Sequence, residues 1–169
     1  MRQLKNCYLL QADDGSFCNW PPTPRVLTVS LIGRGLAADK VVELREARTV
    51  ALEARSRRFA VDVVRMCHSI SAASVLGDMA RQLRRAANSV AVNHRAVRRA
   101  RSLKEFAAKL QIVNEEVDEA VYWLEVMVES GLAPNLDFRG LIEEGRELRA
   151  IFAAARRTTR TRLSTTRGS

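Results

Sequence analysis

Four carboxylates crowd into five positions at Glu115, Glu116, Asp118 and Glu119. On a helix, Glu115 and Glu119 share a face at i, i+4, the spacing that a two-metal carboxylate site uses. Di-iron bundles add histidines from ExxH motifs, and neither His68 nor His94 has a glutamate three residues before it. No metal centre and no cofactor is therefore expected. Cys67 and His68 are neighbours on a predicted helix, so they point about 100° apart and cannot pair as nucleophile and base. The chain also has no glycine-rich phosphate loop, GxSxG elbow or HExxH pair. A non-enzymatic protein is expected.

The denser chemistry is electrostatic. Arg95, Arg98, Arg99, Arg101 and Lys104 put five cations into ten residues, a pattern suited to holding nucleic-acid phosphates without reading bases. Of 28 basic residues, 24 are arginine, whose planar fork bonds phosphate or carboxylate bidentately. The net charge is +9 over 169 residues, but it is segregated: residues 48–101 carry 12 bases and 3 acids, whereas residues 102–154 carry 5 and 11. Residues 155–169 add five arginines and no acid. Opposite charge on consecutive helices predicts pairing of the acidic cluster with Arg81, Arg84 or Arg85, in the same chain or a neighbouring copy. Tyr122 and Trp123 interrupt an apolar seam and are expected to pack at a bundle edge or between subunits. Base stacking on them is disfavoured by Glu119 and Glu125 on either side, which repel phosphate.

The elements that must position these groups are helical. Hydrophobic residues make up 47% of the chain and aromatics only 5%, which suits one Ala- and Arg-rich helical core rather than a β-sandwich. Residues 1–24 contain DDGS and NWPPTP, turn-forming stretches with no apolar face, and Arg25 to Ile32 alternates weakly like a lone strand. Residues 1–47 are thus expected to be a mostly irregular extension, although helical spacing sets in from about Asp39. The first helix runs to Ile70 with Leu52, Phe59, Val63 and Met66 on one stripe that passes over a polar Ser56. A second begins near Val75 with Leu76, Met79, Leu83, Ala86, Ala87 and Val90 facing inward. A capping box from Ser102 to Glu105 opens the third. Its heptad-like seam is Phe106, Leu110, Val113, Val117, Ala120, Leu124 and Met127, closed by Gly131. The fourth carries Leu141, Gly145, Leu148, Phe152 and Ala155. Residues 158–169, rich in Arg and Thr, read as a disordered tail. The architecture predicted is an all-α, antiparallel up-down four-helix bundle over residues 48–157.

Cys7, Cys18 and Cys67 form no CxxC pair and are read as free thiols, with Cys67 in the core. No apolar run approaches the ~18 residues of a membrane span, and the opening apolar stretch is too short for a secretory signal. A cytoplasmic protein with no membrane partner is expected.

Three runs carry a family resemblance: RQLRRAANSVAVN from Arg81 to Asn93, RARSLKEF from Arg99 to Phe106, and KLQIVNEEVDEAVYWLE from Lys109 to Glu125. Together they resemble the bacterial four helix bundle proteins whose founding members are encoded by intervening sequences in 23S ribosomal RNA genes. Relatives of that family include the accessory variability determinant of diversity-generating retroelements. His94 stands where the family often has an aromatic, and Asn114 where it often has an acid. The resemblance implies an up-down bundle that assembles into a ring, a homopentamer, and in the retroelement branch a basic surface meeting nucleic acid and a reverse transcriptase. Two functions are therefore expected to compete. One is an oligomeric module binding RNA or DNA through Arg95, Arg98, Arg99, Arg101 and Lys104. The other is a protein-interaction or scaffold subunit, such as a reverse-transcriptase accessory protein.

Overall fold

Four α-helices, joined by short turns, make up the computed structural model, which describes residues 38–167. They are α1 (Ala38–His68), α2 (Val75–Val97), α3 (Leu103–Glu129) and α4 (Arg139–Arg167). Each packs antiparallel on the next, and α1 meets α4 to close the bundle. The expected strand-like run at Arg25 to Ile32, Cys7 and Cys18 lie outside the described residues.

Local chemistry sets the helix ends. Ser74 caps α2 by accepting from the Gly77 N–H at 3.2 Å. The preceding loop folds so closely onto that first turn that a Cβ at Gly77 would sit 2.5 Å from the Ala72 carbonyl oxygen. Ser102 caps α3 by accepting from the Glu105 N–H at 3.1 Å. The returning Glu105 carboxylate takes the N–H of Arg101, at 2.9 Å, rather than that of the cap residue itself. This backbone bond, ahead of Lys109 and Arg101 charge, holds the Glu105 carboxyl below its ordinary pKa. Gly131, at φ 65°, supplies the left-handed residue after α3.

The seams meet in one core. Leu52, Phe59, Val63 and Cys67 of α1, and Leu83, Ala86, Ala87 and Val90 of α2, are buried. So are the whole α3 seam and Leu148, Phe152 and Ala155 of α4. Met66, Ile70 and Met79 pack against this core half-buried.

The tail departs from expectation. Residues 158–167 are not irregular but continue α4 to Arg167, and Thr159 is fully buried. The reason lies in the side chains. Thr158, Thr159, Thr161 and Thr165 each donate a hydroxyl to the carbonyl four residues back, so polar composition there is absorbed by the helix's own backbone. Arginine is a good helix former and its charge favours a helix C-terminus.

Candidate nucleic-acid interface

The turn between α2 and α3 gathers the basic run at one end of the bundle. Val97 ends α2, Ser102 opens α3, and only five residues separate the two helices, so Arg98 to Lys104 cannot spread. Arg95, Arg99 and Lys104 are exposed and have no carboxylate within 4.0 Å among the described residues. Arg101 is exposed and 3.9 Å from Glu105, a loose helical pair. Arg98 behaves differently: it meets Glu53 of α1 at 2.5 Å. That hydrogen bond holds the Glu53 carboxyl below the usual carboxylate range. Four of the five predicted residues thus face solvent as cations, while the fifth ties α2 to α1.

Because α4 runs antiparallel to α3, its arginine-rich half arrives at the same end. Arg157 and Arg160 are exposed there and, with Thr161, Leu163 and Ser164, line an open groove of about 600 Å³. Sequence reasoning placed Arg157 at the last position of the bundle and Arg160 in a disordered tail, and one continuous helix instead carries both.

The acidic cluster is distributed among several partners. Arg85 meets Glu119 at 2.8 Å across α2 and α3, but Arg81 pairs with Asp78 of its own helix, also at 2.8 Å. Arg84 lies beside Cys67, whose thiol is pushed up by burial, with the guanidinium opposing. Asp118 reaches Arg149 of α4 at 2.6 Å, Glu115 bonds Gln111 in its own helix, and one Glu116 oxygen is buried without a hydrogen bond among the described residues. The cluster therefore works towards α4 as well as α2, a direction the sequence did not reveal. Among the described residues no group of three His, Cys, Asp or Glu side chains is placed to hold a metal ion.

Trp123 is half-buried against the core and donates its indole N–H to Glu119 at 3.3 Å. Tyr122 is 56% exposed and stacks edge-on against Trp123, ring centroids 5.2 Å apart. Glu119 thus joins Arg85 to the indole in one small network.

One constellation escaped the sequence. Ser56 Oγ lies 2.8 Å from His94 Nδ1 in the centre of the bundle, and the His94 ring packs edge-on against Phe152 at 4.9 Å. Ser56 Oγ also donates to the Leu52 carbonyl at 3.1 Å. A serine paired with a histidine has the ingredients of nucleophilic catalysis, but both side chains are fully buried. Burial lowers the His94 pKa to about 4, which keeps the ring neutral. The signal was present in the sequence as a polar residue on each apolar stripe.

Among the described residues no helix is long and apolar enough to cross a membrane. No curated protein matches the chain. A crystal structure of a protein of unknown function from the S23 ribosomal protein family of Bacteroides thetaiotaomicron VPI-5482 shares the fold, with a TM-score of 0.56 and 22% identity. The match covers 64% of this chain and 97% of that one. The profile of the 23S rRNA-intervening sequence protein family matches residues 48–154, the span from the middle of α1 to the core of α4, and the chain belongs to that family.

Proposed function

We propose that this protein is a non-enzymatic, cytoplasmic helical module that self-associates and binds RNA or DNA phosphates through its basic end, without sequence readout. One observation carries this: Arg95, Arg99 and Lys104 stand exposed with no carboxylate near them among the described residues, at the end where Arg157 and Arg160 of α4 also emerge. Cations with no carboxylate partner among the described residues are available to phosphate, and releasing the ligand's counterions makes such binding steeply salt-dependent. The test is light scattering on a sizing column, with and without mixed-sequence RNA, at low and physiological salt. An oligomer that takes up RNA more at low salt is expected, and Arg95→Glu with Arg99→Glu should flatten the salt dependence. A monomer at micromolar concentration refutes self-association, and no RNA uptake at either salt refutes the binding.

A scaffold role is favoured by a different surface. Tyr122 and Val128 of α3 and Leu132 in the loop after it are each at least half exposed, apolar surface around an acidic helix that suits a protein partner such as a reverse transcriptase. An oligomer indifferent to RNA would favour it.

A further inference from the structure

Five exposed residues of α2 recur at three- and four-residue steps along a single outward row, Arg81, Arg85, Asn88, Val92 and Arg95, and Arg99 follows in the turn just after the helix. The row holds arginine at both ends and neutral side chains between. At 1.5 Å per residue Arg95 lies about 18 Å along α2 from the midpoint of Arg81 and Arg85, with Arg99 just past the helix end. We infer that this ridge is a site for double-stranded nucleic acid, with Arg81 and Arg85 on one phosphate rail and Arg95 and Arg99 on the other, across a groove. The inference rests on the nucleic-acid binding proposed above and extends it from the basic end along the length of α2.

The geometry favours a duplex over a single strand. The spacing exceeds the ~12 Å width of a major groove by an amount that side chains leaning inward from each end can cover. A rigid ridge with fixed spacing gains from a ligand whose two backbones are also fixed, whereas a flexible strand is held best where aromatic rings stack on its bases. The ridge has no aromatic residue, and exposed Tyr122 lies on the acidic α3. Base edges stay out of reach: α1 and α3 flank α2 at the usual ~8–10 Å, giving a face too broad to enter a groove. Asn88 and Val92 therefore span the groove without reading it.

Charge also orients the approach. On the α3 side stand Glu115 and Glu119, and on the α1 side Arg57 is exposed one turn from Glu53. A duplex leaning towards α1 avoids Glu115 and Glu119 and meets Glu53 only in its pair with Arg98. Arg81 and Arg85 are held by Asp78 and Glu119 in exposed pairs, with the arginine side chains 66% and 62% accessible, so phosphate can displace those partners.

Fluorescence anisotropy on the full chain tests this with a labelled duplex of roughly two helical turns, as RNA and as DNA, and with each single strand alone. The wild type should prefer one or both duplexes over the strands. Arg81→Ala with Arg85→Ala should weaken duplex binding about tenfold, lower the salt slope by about 2 and leave single-strand binding within about twofold. Arg81→Lys with Arg85→Lys should recover most of the loss, because phosphate contact needs charge. Circular dichroism of the variants confirms that the helices persist. Equal binding of duplex and strand, unmoved by the alanine pair, overturns the ridge and leaves the basic end standing. No binding of any probe overturns both.

Discussion

A buried histidine changes the acid stability of the protein in a direction that its pKa dictates. His94 is neutral in the core because burial lowers its pKa to about 4, while an unfolded chain would return it to about 6.5. The unfolded state therefore binds the proton first. Stability is fully present above about pH 6.5 and is lost as the pH falls towards 4, by about 3 kcal/mol across the window. Urea midpoints at pH 7.0 and pH 4.5 should show most of this loss in the wild type and little in His94→Phe, which keeps a ring beside Phe152. Glu53, whose pKa is lowered by Arg98, loses its contribution only as the pH falls through a value below the ordinary 4.5, so it stays outside the comparison. A His94→Phe protein with the same acid loss would show that another group titrates. The sequence marked Ser56 as a polar interruption of an apolar stripe, but its pairing with His94 joins residues 38 apart and needed the packed bundle to appear.

Helix ends were the most legible elements because capping is local. The Ser102 to Glu105 box signals the start of α3 within three residues, and the α3 seam repeats often enough to fix its buried face. The same locality makes Gly77 testable. A methyl group there meets backbone oxygen atoms of Ala72 and Ser71 at 2.5 and 2.7 Å, which no side-chain rotation relieves. Gly77→Ala should cost about 1–3 kcal/mol by displacing the loop, whereas Gly140→Ala, with nothing within 4 Å, should be neutral or slightly stabilising by its helix propensity. Chemical denaturation of both distinguishes the two sites. The last turns of α4 were illegible for the opposite reason: Thr and Arg composition reads as solvated chain, and only i−4 hydroxyl bonding and the burial of Thr159 reveal the helix. Thr159→Arg should therefore lower stability by about 1–3 kcal/mol, while Thr161→Arg on the exposed side should change it by less than about 0.5 kcal/mol. Equal, small effects in a thermal melt would mean that α4 ends earlier.

At the scale of the whole molecule, the bundle closes where its first and last helices meet, and this contact is the lightest of the four helix pairs. Arg55 bridges it. The guanidinium donates Nε to Glu144 Oε1 at 2.9 Å and Nη2 to Glu144 Oε2 at 2.7 Å, and reaches Glu147 at 2.8 Å. These partners lie 89 and 92 residues away, so no periodicity or local motif could have named them among the eleven acids of residues 102–154. Arg55 and Glu144 are three-quarters and two-thirds shielded from solvent, and the bidentate geometry keeps the pair useful where an isolated surface bridge would contribute little. Removing one partner leaves a carboxylate in a half-dry seam without its counter-charge. Arg55→Ala should consequently cost about 1–3 kcal/mol, and Glu147→Gln, at a 48% exposed position, less than about 1 kcal/mol. Hydrogen exchange locates the effect as well as its size. With the bridge gone, amides of α1 and α4 should lose protection before those of α2 and α3, whose mutual packing is the most extensive in the bundle. Uniform loss across all four helices would instead show that the bundle opens as one unit and that Arg55 stabilises it globally rather than at the seam.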